Sequence, residues 1–202
     1  MHLEDIMRKF IPMKTILSVL GIFLALSGGA VYAQQMPKVE PPRTVTQALD
    51  RAVTNVEKEF VPAADAMPED KYGYAPTDGE FKGVRTFAQQ VKHVAATNFE
   101  IAATIMQVKP PVEIGDDEAG PASIKTKAEI MRFLKDSFAY MHKAVAAINE
   151  QNQVEPINSP WGQNKVTRLG LTTLIVGHCF DHYGQMVVYL RHNGIVPPAS
   201  RG

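Results

Sequence analysis

Two histidines four residues apart, in the run His178-Cys179-Phe180-Asp181-His182, are the residues of this chain best suited to chemistry. They lie inside an apolar-rich stretch from Val166 to Arg191. If that stretch is a helix, residues i and i+4 share a face, and both imidazoles can address one cation. Leu171, Ile175, His178, His182, Gln185 and Tyr189 then follow spacings of four, three, four, three and four, which sets the histidines on a stripe with core-type residues. A buried imidazole needs a hydrogen-bond partner or a ligand role. An HxxxH pair alone is a weak metal signal, because it lacks the glutamate of the His-Glu-x-x-His zinc helix. A metal site needs a third ligand.

The candidates for that ligand are His93, His142 and carboxylates such as Asp181. Asp181 falls about 100° round the helix from His182 and reads as a residue outside the ligand set. His142 is flanked by Lys143, with no other ligand type beside it, and reads as part of a solvated face. His93 falls about 120° from the apolar stripe of its own segment, on a track with Thr86, Gln90, Thr97 and Glu100, so periodicity alone makes it exposed. A polar track beside a bundle core can instead line a cleft. Cys179, about 100° from His178, reads as a small buried hydrophobe. Tyr183 and Gln185 are expected to pack or to hydrogen-bond between helices, and Trp161 to form a pocket rim or anchor the loop before the last helix.

Four segments must position these residues. In the first, Thr44-x-x-Gln47 offers a capping box ahead of Val45, Leu49, Val53, Val56 and Phe60, and Pro62 and Pro68 belong to the connection that follows. In the second, from about Gly83 to about Val108, the residues Val84, Phe87, Val91, Val94, Asn98, Ile101 and Ile105 recur at spacings of three and four before Pro110-Pro111. Thr126-x-x-Glu129 is a second capping box, ahead of Ile130, Phe133, Leu134, Met141, Val145 and Ile148. The fourth segment begins near Asn164 and ends at Asn193-Gly194, with Pro197-Pro198 beyond. No segment shows the period-two alternation of a strand. The expected class is all-α, a four-helix bundle. Its connections of about 16 to 20 residues exceed the usual 2 to 8, so they allow crossovers and can cover a pocket.

Ahead of the bundle, Arg8, Lys9 and Lys14 precede the uncharged run Thr15 to Pro37, which has an apolar centre at Ile16 to Leu26 and a Val-x-Ala ending at Ala33. This order describes a secretory signal over residues 1–33, cleaved after Ala33, with initiation at Met1, Met7 or Met13. Its apolar core is too short and too rich in glycine to remain as a membrane anchor. The expected protein is secreted or periplasmic, with a Pro-rich leader over 34–43 and the bundle over 44–202. Cleavage leaves 18 basic against 19 acidic residues, a formal charge of −1, which disfavours nucleic acid as a partner. The remaining 169 residues fit one domain, and the single Cys179 excludes an internal disulfide.

Phe87-Ala88-Gln89-Gln90-Val91-Lys92-His93-Val94-Ala95, Gly177-His178-x-x-Asp181-His182-Tyr183-Gly184-Gln185 and Tyr189-Leu190-Arg191-His192-Asn193-Gly194-Ile195-Val196-Pro197-Pro198 together resemble the DinB family. The resemblance runs from about Thr44 to Ser200 and is most specific over the last 25 residues. It implies a bundle of up-down-down-up topology with a divalent metal held by three histidines, here His93, His178 and His182. Three neutral imidazoles leave coordination positions open, as a catalytic site requires, and suit zinc, nickel, iron or manganese. The implied function is a metal-dependent hydrolase or transferase acting on an unidentified small molecule; the alternative is a non-catalytic binding or structural module whose metal ties helix two to helix four. Relatives include enzymes that use small cytoplasmic thiols, which an exported enzyme would not meet, while many members have no known activity. The assignment is compatible with a homodimer.

Overall fold

The computed structural model describes residues 40–115 and 119–201. The expected signal sequence over 1–33, and with it the export reading, lies outside the described residues, as does the leader as far as residue 39. From Pro42 onward the chain forms one compact unit. Its helices are α1 (Val45–Ala66), α2 (Phe87–Met106), α3 (Lys127–Ala146) and α4 (Arg168–His192). No helix among the described residues is long and apolar enough to cross a membrane.

Side-chain caps set the starts. The Thr126 hydroxyl accepts the Glu129 N–H while the Glu129 carboxylate accepts the N–H groups of Thr126 and Lys125, which satisfies donors that the first turn leaves without intrahelical partners. Thr86 and Gln89 form an equivalent reciprocal pair, so α2 starts four residues after the Gly83 that periodicity indicates. At α1, Thr44 caps Gln47 as expected, but Gln47 reaches back to the N–H of Arg43, so the reciprocal box is not closed. The expected break at Pro62 does not occur. Proline removes one hydrogen bond within the last turn, yet Ala63 and Ala64 continue the helix fully buried against the core.

The directions of the helices follow from ties at their ends. Thr46 donates to the Ile148 carbonyl at one end of α1, and Lys127 donates to the Asp65 and Met67 carbonyls at the other, so α1 and α3 run antiparallel. Gln90 meets Gln185 where α2 begins, and Arg168 donates to the Ile105 carbonyl where α2 nears its end, so α2 and α4 are antiparallel. Tyr183 bonds Glu59, and Lys71 bonds Asn193, beside the C-terminal ends of α1 and α4, which are parallel. Lys92 donates to the Ile124 carbonyl just ahead of α3, and Asn98 to Ser137, which makes α2 and α3 parallel. The bundle is up-down-down-up, with α2 and α1 each packed against both α3 and α4.

That topology explains a long connection. Parallel neighbours must be joined along the length of the bundle, about 30 Å for 20 residues of helix, which takes roughly ten residues of extended chain. The segment from Gln107 to Thr126 makes that crossing. The core it encloses includes fully buried Phe60, Phe87, Phe99, Phe138, Leu134 and Leu171.

One element departs from the all-helical reading. Pro156–Asn158 pairs antiparallel with Lys165–Thr167, Ile157 opposite Val166, as a two-stranded ribbon ahead of α4. Three residues per strand are too few to display an alternation. The ribbon delays the start of α4 from Asn164 to Arg168 and carries Trp161 on its turn.

Candidate metal centre

On α4 the buried spine is Leu171, Ile175, Cys179, His182, Met186 and Leu190. Leu171, Ile175, His182 and Tyr189 of the stripe read in the sequence are buried, and so is Cys179, as expected, while His178 and Gln185 stand half-buried at the edge. Leu174, His178, Asp181 and Gln185 then form a second stripe, at spacings of four, three and four, that faces an open cleft.

Across that cleft lies the polar track of α2. His93, Thr97 and Glu100 line it, so the face that periodicity assigns to solvent is turned toward α4. His93 Nε2 lies 3.0 Å from His178 Nε2. The three ring centroids are 4.9, 4.8 and 4.5 Å apart, and one ring nitrogen from each of His93, His178 and His182 lies within 4.8 Å of the others.

A hydrogen-bonded chain orients this group. His182 Nδ1 donates to Gln90 Oε1; Gln90 Nε2 donates to Gln185 Oε1 at 2.8 Å; Gln185 Nε2 donates to Asp181 Oδ2 at 3.0 Å. With its proton on Nδ1, His182 carries its lone pair on Nε2. Burial, then the positive potential of His178, His93 and Arg85, lowers the His182 pKa to about 3, so this ring is neutral across the physiological range.

These residues fit a divalent cation. Nitrogens bound to one tetrahedral zinc at about 2.0–2.1 Å stand roughly 3.3 Å apart, within the spread of this cluster. His93 and His178, nitrogen to nitrogen at 3.0 Å, need a proton or a cation between them, and a neutral buried His182 beside them supplies a further lone pair.

The cleft holds about 620 Å³ and is also lined by Arg85, Glu100, Trp161 and Leu174. Burial raises the Glu100 pKa, and the Trp161 indole N–H, donating to Oε2 at 3.1 Å, partly pulls it back. Trp161 is 47% exposed at the rim and also anchors its turn to α2.

The other sequence candidates are placed as follows. Asp181 is exposed and supports Gln185 outside the imidazole cluster. Tyr183 joins α4 to α1 through Glu59, 3.0 Å away. Cys179 is buried, its thiol donating to Asn98 Oδ1, and burial pushes its pKa up to about 12. His142 is half-buried at the surface, between the partly exposed carboxylates of Asp50, 2.6 Å from Nδ1, and Glu57, 3.1 Å from Nε2, away from the other histidines. Its carboxylate partners come from α1, where no pattern local to His142 could reveal them. Gln90 and Glu100 belonged to the polar track in the sequence but carried no role there. Their proximity to His93 on one track was the available signal.

A sequence profile of the DinB superfamily matches residues 52–186. No curated protein matches the chain significantly. Solved structures share the fold at low identity. A conserved protein from Enterococcus faecalis superposes with a TM-score of 0.59 at 18% identity, over 74% of this chain and 97% of that one. A DinB-like protein from Bacillus cereus gives 0.59 at 13% identity, over 77% and 96%. YfiT from Bacillus subtilis, described as a probable metal-dependent hydrolase with an unusual four-helix bundle topology, gives 0.54 at 14% identity, over 78% and 94%.

Proposed function

The chain belongs to the DinB superfamily, and from that premise we propose that it is a metal-dependent hydrolase or transferase whose divalent ion is held by His93, His178 and His182. The observation that carries the reading is the convergence of three imidazoles from α2 and α4 on the wall of an open cleft. The description of YfiT as a probable metal-dependent hydrolase supports the same class.

A divalent ion at such a site supplies Lewis acidity and acidifies water toward neutral pH. The chain's own residues do the rest. Gln90 keeps the proton of His182 on Nδ1, and Gln185 and Asp181 hold Gln90 in that orientation. Arg85 brings positive charge to the same cleft as the histidines. Leu174 and the half-covered indole of Trp161 give it apolar surface for a small molecule.

The order of residues 1–33 supports an exported protein, and outside the cytoplasm water is a more available acceptor than a reduced thiol. Hydrolysis is therefore the preferred half of the reading. Metal analysis of the purified protein beside a His178→Ala/His182→Ala variant tests the centre. The natural chain should carry close to one divalent ion per molecule and the variant none; equal content in both sinks the proposal.

A further inference from the structure

The geometry points to a second recognition element in the cleft: Glu100 and Trp161 form a subsite for the ammonium or guanidinium group of the substrate. The word substrate rests on the metal-enzyme reading above; the cation subsite can be tested without it.

Glu100 follows His93 by seven residues, so it sits two turns, or about 10 Å, further along the same face of α2. That separates its carboxylate from the imidazole cluster while keeping it in the same cleft. It is half-buried, and among the described residues it makes no ion pair with lysine or arginine. Its side-chain partner is the Trp161 N–H, 3.1 Å away, which fills one of about four acceptor positions on a carboxylate. A partly desolvated carboxylate with acceptor capacity to spare is stabilised by an incoming cation.

Trp161 makes the site more selective. The bond to Glu100 ties the indole to the carboxylate, while the ring, 47% exposed, lines the cleft. Aromatic surface beside a carboxylate binds alkylammonium and guanidinium groups through charge and cation–π attraction together. Leu174, 46% exposed, and Ile114 line the same cleft and can cover an alkyl stem. Arg85 also lines it, so a cation is repelled at that end and drawn to Glu100. The substrate class is a small molecule bearing a cationic amine or guanidine, with its reacting bond over the histidines.

Trp161 is the only tryptophan, so its emission reports on the subsite directly. The protein is titrated with n-butylammonium, with n-butanol and butyrate as neutral and anionic counterparts of similar shape. Butylammonium should give a saturable change, and the other two should bind at least about tenfold more weakly. Glu100→Gln should weaken butylammonium about tenfold, the scale of one charge-assisted hydrogen bond, with melting temperature and metal content unchanged. Equal responses to the three probes, or natural affinity in Glu100→Gln, overturn the subsite. Should Glu100→Gln fail to fold, Trp161→Ala, in an exposed turn and read by calorimetry, replaces it, and unchanged butylammonium affinity there is equally fatal. The same titration on His178→Ala/His182→Ala separates the two readings. Ammonium binding without metal in the natural protein sinks the metal centre alone, and metal without ammonium selectivity sinks the subsite alone.

Discussion

Gln90 on α2 accepts the Nδ1 proton of His182 on α4, so a residue outside the imidazole cluster decides which nitrogen of His182 is free to bind a cation. Replacing Gln90 by Leu removes that acceptor and leaves Gln185 without the Gln90 amide. Loss of such a supporting contact lowers metal affinity by about 10- to 100-fold. Competition against a chromophoric chelator measures it, with circular dichroism to establish that the variant is folded. A folded Gln90→Leu protein with unchanged affinity would show that the hydrogen-bonded chain does not tune the site.

His142 makes a different prediction, about stability and pH. Burial alone lowers its pKa, but the hydrogen bonds and negative charge of Asp50 and Glu57 outweigh it, and the net shift is upward. A folded-state pKa above the unfolded value of about 6.5 means the charged pair stabilises fully below that value. The contribution is then lost as pH rises through the higher folded value. The His142 contribution, read as the difference in urea midpoint between the natural protein and His142→Gln, should fall from about pH 6.5 to about pH 8.5, whereas the neutral His182 contributes in the opposite sense below that window. A midpoint profile of identical slope in both proteins contradicts the assignment.

These two histidines show where reading the sequence succeeds and stops. The bundle was legible because each helix buries a stripe at spacings of three and four, as Val53, Val56 and Phe60 do on α1. The HxxxH pair was legible for the same reason. His93 was not legible from periodicity, since a helix face lining a polar cleft has the composition of one facing water, and only the pairing of α2 with α4 separates them; family resemblance supplied it instead. His142 depends on carboxylates 92 and 85 residues away, and no local pattern carries that distance. On α4 the stripe was legible at Leu171, Ile175, His182 and Tyr189, all buried, but not at its edge, where Met186 is covered and His178 and Gln185 are half-buried, because a stripe this broad does not fix its own centre to within half a residue.

Cys179 gives a test of the buried spine of α4. It is 1% exposed and donates to Asn98, and burial raises its pKa, so much less thiolate is present near neutral pH than in an ordinary cysteine. A disulfide reagent such as dithionitrobenzoate should therefore modify the native protein only as fast as the bundle opens, and should react at once in denaturant. Rapid stoichiometric labelling of folded protein would place Cys179 on an accessible face and contradict the buried spine.

Metal binding should also register in the stability of the whole bundle, because His93 belongs to α2 while His178 and His182 belong to α4. A ligand that binds only the folded state at 100 times its dissociation constant stabilises it by about 2.7 kcal/mol. For a domain of this size each kcal/mol moves the melting temperature by about 2–4 °C, so saturating metal should raise it by roughly 5–11 °C. A chelator should reverse the shift. His93→Ala should remove most of it, since two histidines on one helix no longer tie α4 to α2. The discriminating outcome is a full shift in His93→Ala: the metal would then be bound by α4 alone, and the link between helices would play no part in its stabilising effect.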